Sequence, residues 1–329
     1  MTYAVLIKPS NYTVFVEPHE TVLDAALRQG YDFPYSCRSA TCATCMGKVL
    51  SGQFNYGDTE PYALDDEAEA NGYALFCSVI PTSDLIIEVE DVFGPEFKPV
   101  RTIEYKIESQ QILGENLHQL FLAPTGDKQI NYIAGQYINI MCGDGIPVPF
   151  SIANAPVEGN SQLELHIHDA PHSTHTKEIL QKISEQKTLT VKGPYGKMIY
   201  RPEPKLPIIF LASGTGIVPL KAIIEDMLAN NIRQSMHLYW GVKQENYLYL
   251  NELLQRWAKH IPTFKYTPII QSAGPLHEQI LKDYADLSGQ QVFASGTPEM
   301  VYAAKHALLA HGLKPYCIYS DVFEYFPEE

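Results

Sequence analysis

Cys37, Cys42 and Cys45 stand at a C-x4-C-x2-C spacing, and Cys77 follows after thirty-one intervening residues. That is the ligand spacing of a plant-type [2Fe–2S] cluster. Three thiolates on one tight loop can wrap so small a cluster only where the residues between them are small and their amides can turn toward sulfur. Ser39, Ala40, Thr41, Ala43 and Thr44 meet that need. Cys77, in Leu75-Phe76-Cys77-Ser78, closes the coordination from a distant strand. The competing chemistry is a four-cysteine zinc site, which ordinarily pairs two C-x2-C knuckles, and only one knuckle is present. Cys142 and Cys317 lie outside the pattern and read as buried, idle thiols. With four of its six cysteines at metal spacing, the chain does not read as a disulfide framework.

A second place for chemistry is the run Ile208-Ile209-Phe210-Leu211-Ala212-Ser213-Gly214-Thr215-Gly216-Ile217, a strand, a glycine turn and a helix start. Gly214 and Gly216 permit close approach of a pyrophosphate to that helix N-terminus. Their spacing is not that of the full dinucleotide fingerprint. His166, His168, His172 and His175 invite a metal, and His166 and His168 share one strand face. With only Asp169 as a nearby acid, polar cofactor surroundings or plain surface is the better reading. A one-electron cluster also needs a partner that splits a hydride into single electrons, and flavins do this.

The elements that must position these groups fall into three patterns. Residues 1–92 open with two strand runs, Tyr3–Lys8 and Tyr12–Glu17, joined by a turn at Pro9-Ser10-Asn11. A helix begins at Thr21 and stops at Gly30, and strands return at Lys48–Ser51 and Leu85–Glu90, giving a small mixed sheet. Residues 93–100, with two prolines and a glycine outside any periodic run, read as a linker. Residues 101–203 offer many short strands with little helix, which predicts an antiparallel β-barrel. Residues 204–329 alternate strand and helix from Pro207 to His311, which predicts an α/β doubly wound parallel sheet.

The charge of −14 argues against nucleic acid, since a binder needs a basic face to displace counterions. Fourteen acids against four bases lie within residues 1–92, so most of the excess is concentrated there. Simple solubility or an acidic docking face for a basic partner protein both follow from that. No apolar run reaches the roughly 20 residues of a membrane helix, and the N-terminus lacks the basic start and long apolar core of a signal peptide. A cytoplasmic address is the default expectation.

Pro34-Tyr35-Ser36-Cys37 through Gly47-Lys48, with the later Leu75-Phe76-Cys77, resembles the cluster loop of plant-type ferredoxins, which implies a β-grasp domain over residues 1–92. Residues 101–329 resemble the ferredoxin–NADP reductase superfamily, which pairs a flavin-binding barrel with a nucleotide-binding α/β domain. Val148-Pro149-Phe150-Ser151-Ile152-Ala153-Asn154 resembles that family's flavin motif, Arg-x-Tyr/Phe-Ser/Thr. The resemblance implies that Phe150 packs along FAD, that Ser151 lies near the isoalloxazine N5, and that Ile152, Ala153 and Asn154 continue the contact. His168 and the helix entry Ser173-Thr174-His175-Thr176 would face the cofactor and its phosphates. Gly214-Thr215-Gly216 and Ser295-Gly296-Thr297-Pro298 with Met300 are similar to the two nicotinamide nucleotide turns. Ser295 stands where the family commonly has cysteine. Phe323 aligns with a C-terminal aromatic that covers the flavin, or else belongs to a hydrophobic last strand.

One departure is chemical. The motif's arginine, a bidentate clamp on the flavin pyrophosphate, is Val148 here, a loss of about 2 kcal/mol unless another group substitutes. FMN or loosely bound FAD therefore stays open beside FAD. Trp240-Gly241-Val242-Lys243 has no arginine pair for a 2′-phosphate, which favours NADH, with Lys243 the argument for NADPH. The chain as a whole resembles reductases that pass electrons from NADH through flavin to the cluster and on to a partner, a sugar 3-deoxygenation dehydrase (the CDP-6-deoxy-glucoseen reductases) or an oxygenase. A flavin reductase with loosely held flavin and a redox sensor with a decayed flavin site are the alternatives.

Overall fold

Alternating apolar residues draw the first strands into a sheet: Val5, Ile7, Val14 and Val16 all point inward and are fully buried. The computed structural model describes residues 2–90, 92–94, 98–114, 116–143, 145–169, 174–185, 188–201, 205–270 and 274–325. The chain divides into two compact units, residues 1–97 and 98–329.

In the first unit, β1 (Tyr3–Lys8) and β2 (Tyr12–Val16) form an antiparallel hairpin. Helix α1 (Val22–Arg28) follows, its first turn capped by Thr21, whose hydroxyl accepts from the Asp24 amide. Next come β3 (Met46–Ser51), β4 (Phe54–Asn55), α2 (Asp66–Ala70), β5 (Tyr73–Leu75), β6 (Ile80–Pro81) and β7 (Leu85–Glu88). The main sheet runs β2-β1-β7-β3-β5, with β1 and β7 parallel and the remaining pairs antiparallel. Val22, Leu23, Ala25 and Ala26 of α1 pack with the sheet residues in one apolar core. This is a β-grasp fold. Phe93, expected in the linker, pairs back to Asp32 and so extends the first unit.

The second unit begins with β8 (Arg101–Gly114), β9 (Leu117–Pro124), β10 (Tyr137–Met141), β11 (Pro147–Ser151), β12 (Leu163–His168), α3 (Thr174–Glu185) and β13 (Thr188–Tyr195). These strands are antiparallel throughout, in the order β11-β10-β13-β8-β9-β12. A bridge between Ile152 and Leu165 joins the two ends and closes the sheet into a barrel. Little helix is expected here, yet α3 runs for twelve residues. Its Ile179 and Ile183 sit in the barrel core, and that burial accounts for the helix.

The rest of the unit is β14 (Ile208–Ser213), α4 (Ile217–Ala229), β15 (Met236–Val242), α5 (Asn251–His260), β16 (Phe264–Ile270), α6 (Leu276–Asp283), β17 (Gln291–Ser295), α7 (Pro298–Ala310), β18 (Ile318–Tyr319) and α8 (Val322–Tyr325). All pairs are parallel, in the order β16-β15-β14-β17-β18, a doubly wound sheet with an apolar cluster on each face. The C-terminal run, for which a hydrophobic last strand is one of two readings, is helical at Val322–Tyr325. Ser320 Oγ accepts from the Val322 amide at 3.1 Å and turns the chain there. Among the described residues no helix is long and apolar enough to cross a membrane.

Candidate functional site

In the first unit the loop from Cys37 to Cys45 is bent by three non-glycine residues with left-handed backbones, Arg38 (φ 57°), Ala40 (φ 58°) and Ala43 (φ 58°). Such residues cost free energy, and the loop uses them to turn amides inward. The amides of Ser39 and Thr41 each point at Cys37 Sγ at 3.4 Å, that of Cys37 at Cys42 Sγ at 3.4 Å, and that of Cys77 at Cys45 Sγ at 3.4 Å. These donors favour the thiolate. The Cys37 thiol is drawn down to about 5, chiefly by its contact with Thr41 and then by the Ser39 amide, whereas burial pushes Cys45 up to about 12. Cys42 is a close neighbour of Cys37, and both Cys42 and Cys77 act on Cys45. Among the described residues no three or more ligating side chains gather round one ion. Ala40, Ala43, Ala63, Leu64 and Leu75 wrap the loop in apolar surface.

In the second unit a cavity of about 1000 Å³ opens at the C-terminal ends of β14, β15 and β17, the place where open α/β sheets take ligands. It brings together nine of the residues singled out from the sequence: Ser151 and His168 from the barrel, and Gly214, Thr215, Gly216, Ser295, Gly296, Thr297 and Met300 from the parallel sheet. The two glycine turns press against one another. A Cβ on Gly216 would lie 2.1 Å from the Ser295 carbonyl oxygen and 2.7 Å from the Gly296 nitrogen. Trp240 Nε1 donates to the Gly214 carbonyl at 2.8 Å and holds the first turn from beneath. Pro298 opens α7, and Thr297 Oγ1 caps it by accepting from the Met300 amide.

The remaining candidates lie elsewhere. Ile152 and Ala153 are fully buried. Phe150 and Val148 pack against the barrel core on the same face of β11, so the position of the missing arginine is apolar. Asn154 braces the strand, its amide donating to the Gln162 carbonyl and its Oδ1 accepting from the Glu164 amide. Thr174 and His175 open α3, Thr176 is buried, and His172 and Ser173 lie outside the described residues. Phe323 packs on Tyr302 with Lys305 above its ring, rather than on the cavity wall.

Sequence reasoning missed two groups. Asp321 lines the cavity and accepts from Ser295 Oγ at 3.0 Å; burial pushes its carboxyl above the usual range. An acid between Ser320 and Val322, next to the apolar residues of the C-terminal run, was the available signal. The second group is a buried network in which His166 meets not Asp169 but Glu164, at 2.8 Å, two residues away on the same strand face. Lys221, on the largely apolar helix α4, reaches the same carboxylate.

Residues 5–82 match the 2Fe-2S iron-sulfur cluster binding domain, residues 104–200 the oxidoreductase FAD-binding domain, and residues 210–306 the oxidoreductase NAD-binding domain. The fold and the sites thus define an NAD(P)H-dependent oxidoreductase with a [2Fe–2S] cluster, FAD and a nicotinamide nucleotide as its cofactors. The chain belongs to the family of iron–sulfur flavoprotein reductases that serve as reductase components of dehydrase and oxygenase systems and pass electrons to partner enzymes. It is 32% identical to the CDP-6-deoxy-L-threo-D-glycero-4-hexulose-3-dehydrase reductase of Yersinia pestis, over 98% of this chain and 99% of that one. It is 31% identical to the phenol hydroxylase P5 protein of Acinetobacter pittii, over 98% and 95%. The crystal structure of the Amycolatopsis cytochrome P-450 reductase GcoB matches with a TM-score of 0.65 and 26% identity, covering 97% of this chain and 98% of that one.

Proposed function

We propose that residues 204–329 bind NADH in the cavity, that residues 101–203 hold FAD beside Ser151, and that the ferredoxin domain, residues 1–92, delivers electrons to a cytoplasmic partner of the dehydrase or oxygenase type. When bound, the flavin supplies the conversion of a two-electron hydride into single electrons that the cluster can carry. The chain's own residues do the rest. The abutting turns at Gly214–Gly216 and Ser295–Thr297 present amides and a helix N-terminus to the pyrophosphate. Ser295 and Asp321 offer a hydroxyl and a buried carboxyl where the carboxamide end of the nucleotide would lie. The observation that carries the reading is the convergence of barrel residues Ser151 and His168 with both nucleotide turns on one cavity wall.

An acidic docking face is supported by the segment Asp58, Glu60, Asp65, Asp66, Glu67 and Glu69, all exposed. It is tied to the cluster loop by the Ala63 amide donating to the Ala40 carbonyl at 2.9 Å. Electrons leaving at this face meet a field that attracts a basic partner.

A second reading, a flavin reductase that holds its flavin loosely, is favoured by the apolar surroundings of Val148. An anaerobic NADH titration of freshly purified protein, followed by absorbance and EPR, tests both. Bleaching of flavin and cluster bands together, with the signal of a reduced [2Fe–2S] centre, is the expected result. A brown protein that loses its flavin on gel filtration and regains the NADH response with added FAD favours the second reading. No response even then defeats both.

A further inference from the structure

The charged groups of the second unit are mostly at its surface, and the few buried ones include a lysine that neither nucleotide turn uses. Lys221 is 5% exposed, on α4, five residues after Gly216. Its ammonium has three N–H donors, and each has a partner: the Ala153 carbonyl at 2.9 Å, Glu164 Oε2 at 3.2 Å and Glu225 Oε1 at 2.9 Å. Ala153 stands two residues beyond Ser151, just past the end of β11, the strand that carries the flavin motif. Glu164 in turn accepts from His166 Nε2 at 2.8 Å and from the Gln119 side-chain amide at 2.5 Å. His166 Nδ1 meets the hydroxyl of Tyr249, a cavity-lining residue, at 3.0 Å. Tyr249 stands edge-on to Trp240, the residue that holds the Gly214 carbonyl.

The network therefore ties the barrel strand beside Ser151 to the nicotinamide turn by two routes. One runs through Lys221 and α4, the other through His166, Tyr249 and Trp240. Glu164 is common to both. Burial alone raises a carboxyl, but His166 and then Lys221 draw Glu164 down to about 2, so it stays ionised and the ion pair persists. A buried pair of this kind is a poor source of stability compared with apolar packing, and its attested use is to fix one arrangement among several.

Resting on the proposed placement of flavin and nicotinamide, we propose that Lys221 is a positioning residue for hydride transfer, its ammonium setting the distance between the flavin-motif strand and the nicotinamide turn. Hydride transfer requires its atoms within a few tenths of an ångström of a reactive geometry, and a displacement of about 1 Å costs on the order of 100-fold. Binding of the adenosine end asks for no such precision.

Lys221→Met keeps an unbranched side chain one atom shorter and removes the charge. In stopped-flow with excess NADH, flavin bleaching is expected to slow roughly 10- to 100-fold, while ADP-ribose affinity by calorimetry stays within about threefold. Lys221→Arg is expected to recover part of the rate. Hydrogen–deuterium exchange is expected to rise in the peptide covering 151–156 and not across the barrel. Wild-type bleaching by Lys221→Met overturns the proposal. So does a loss of rate matched by an equal loss of ADP-ribose affinity with exchange raised throughout, which marks a merely structural residue. If Lys221→Met does not fold, the isosteric Glu164→Gln decides on the same readouts. A wild-type protein that does not bleach at all refutes the proposed function itself, a different outcome from a variant that bleaches normally.

Discussion

Two glycines in one turn make opposite predictions. An added Cβ at Gly216 would stand 2.1 Å from the Ser295 carbonyl oxygen, 2.4 Å from its carbon and 2.7 Å from the Gly296 nitrogen, all backbone atoms with no rotamer to yield. That is about 1.3 Å inside ordinary contact, so Gly216→Ala must drive the two nucleotide turns apart by around an ångström. Overpacking of this kind costs roughly 1–3 kcal/mol. In a unit of this size each kcal/mol lowers the melting temperature by about 2–4 °C, so a fall of roughly 2–12 °C is expected. At Gly214 an added Cβ meets nothing within 4 Å, but φ is +54°, so Gly214→Ala costs about 1–2 kcal/mol of backbone strain and leaves the turns together. Thermal unfolding in the absence of nucleotide, followed by ADP-ribose calorimetry, separates the two. Gly216→Ala should lose ADP-ribose binding by more than 10-fold together with stability. Gly214→Ala should unfold roughly 2–8 °C early, so binding is the readout that tells the two apart, and any loss of it then comes from a methyl group projecting into the cavity. A Gly216→Ala protein that melts within 1 °C of wild type and binds ADP-ribose normally would refute the packing of the turns.

Reversing charge at Asp66, Glu67 and Glu69, all exposed on α2, is expected to slow reduction of cytochrome c, a basic acceptor, several-fold at low ionic strength and little at high salt. Ferricyanide reduction should not fall with it, and an equal loss with both acceptors would locate the defect in the cluster instead. Burial holds His237 down to about 4, between the Tyr284 hydroxyl and Thr267. The unfolded chain takes up a proton near 6.5 that the folded one refuses until about 4, so stability is full above this window and falls as pH drops through it. Denaturant midpoints measured from pH 7 to pH 4 should show that slope, and His237→Gln should flatten it; an unchanged slope would assign the proton elsewhere.

The features legible in the sequence share one property, that their partners are near in the chain or of a distinctive type. The cysteine loop is local, and the small residues between Cys37 and Cys45 anticipate amides aimed at sulfur, while the left-handed backbones at Arg38, Ala40 and Ala43 that aim them are seen only in the structure. The strand–turn–helix at Gly214 is local too. What composition and periodicity miss is pairing across modules. Lys221 meets Ala153 and Glu164 at separations of 68 and 57 residues, and in the chain it is only a lysine in an apolar helix. Glu164 and His166 look like the polar half of an alternating strand, which the solvent ordinarily covers. Their burial becomes visible only when the second module is laid against β12. Asp321 is the same case, its partner Ser295 being 26 residues away on a neighbouring strand end. A lone charge within an apolar run is therefore worth reading as half of a pair. A protein that keeps such a pair at the seam of two modules, where apolar side chains would pack at lower desolvation cost, has kept an arrangement and not merely a contact. In a reductase the arrangement that needs keeping is the one between the donor's turn and the acceptor's strand.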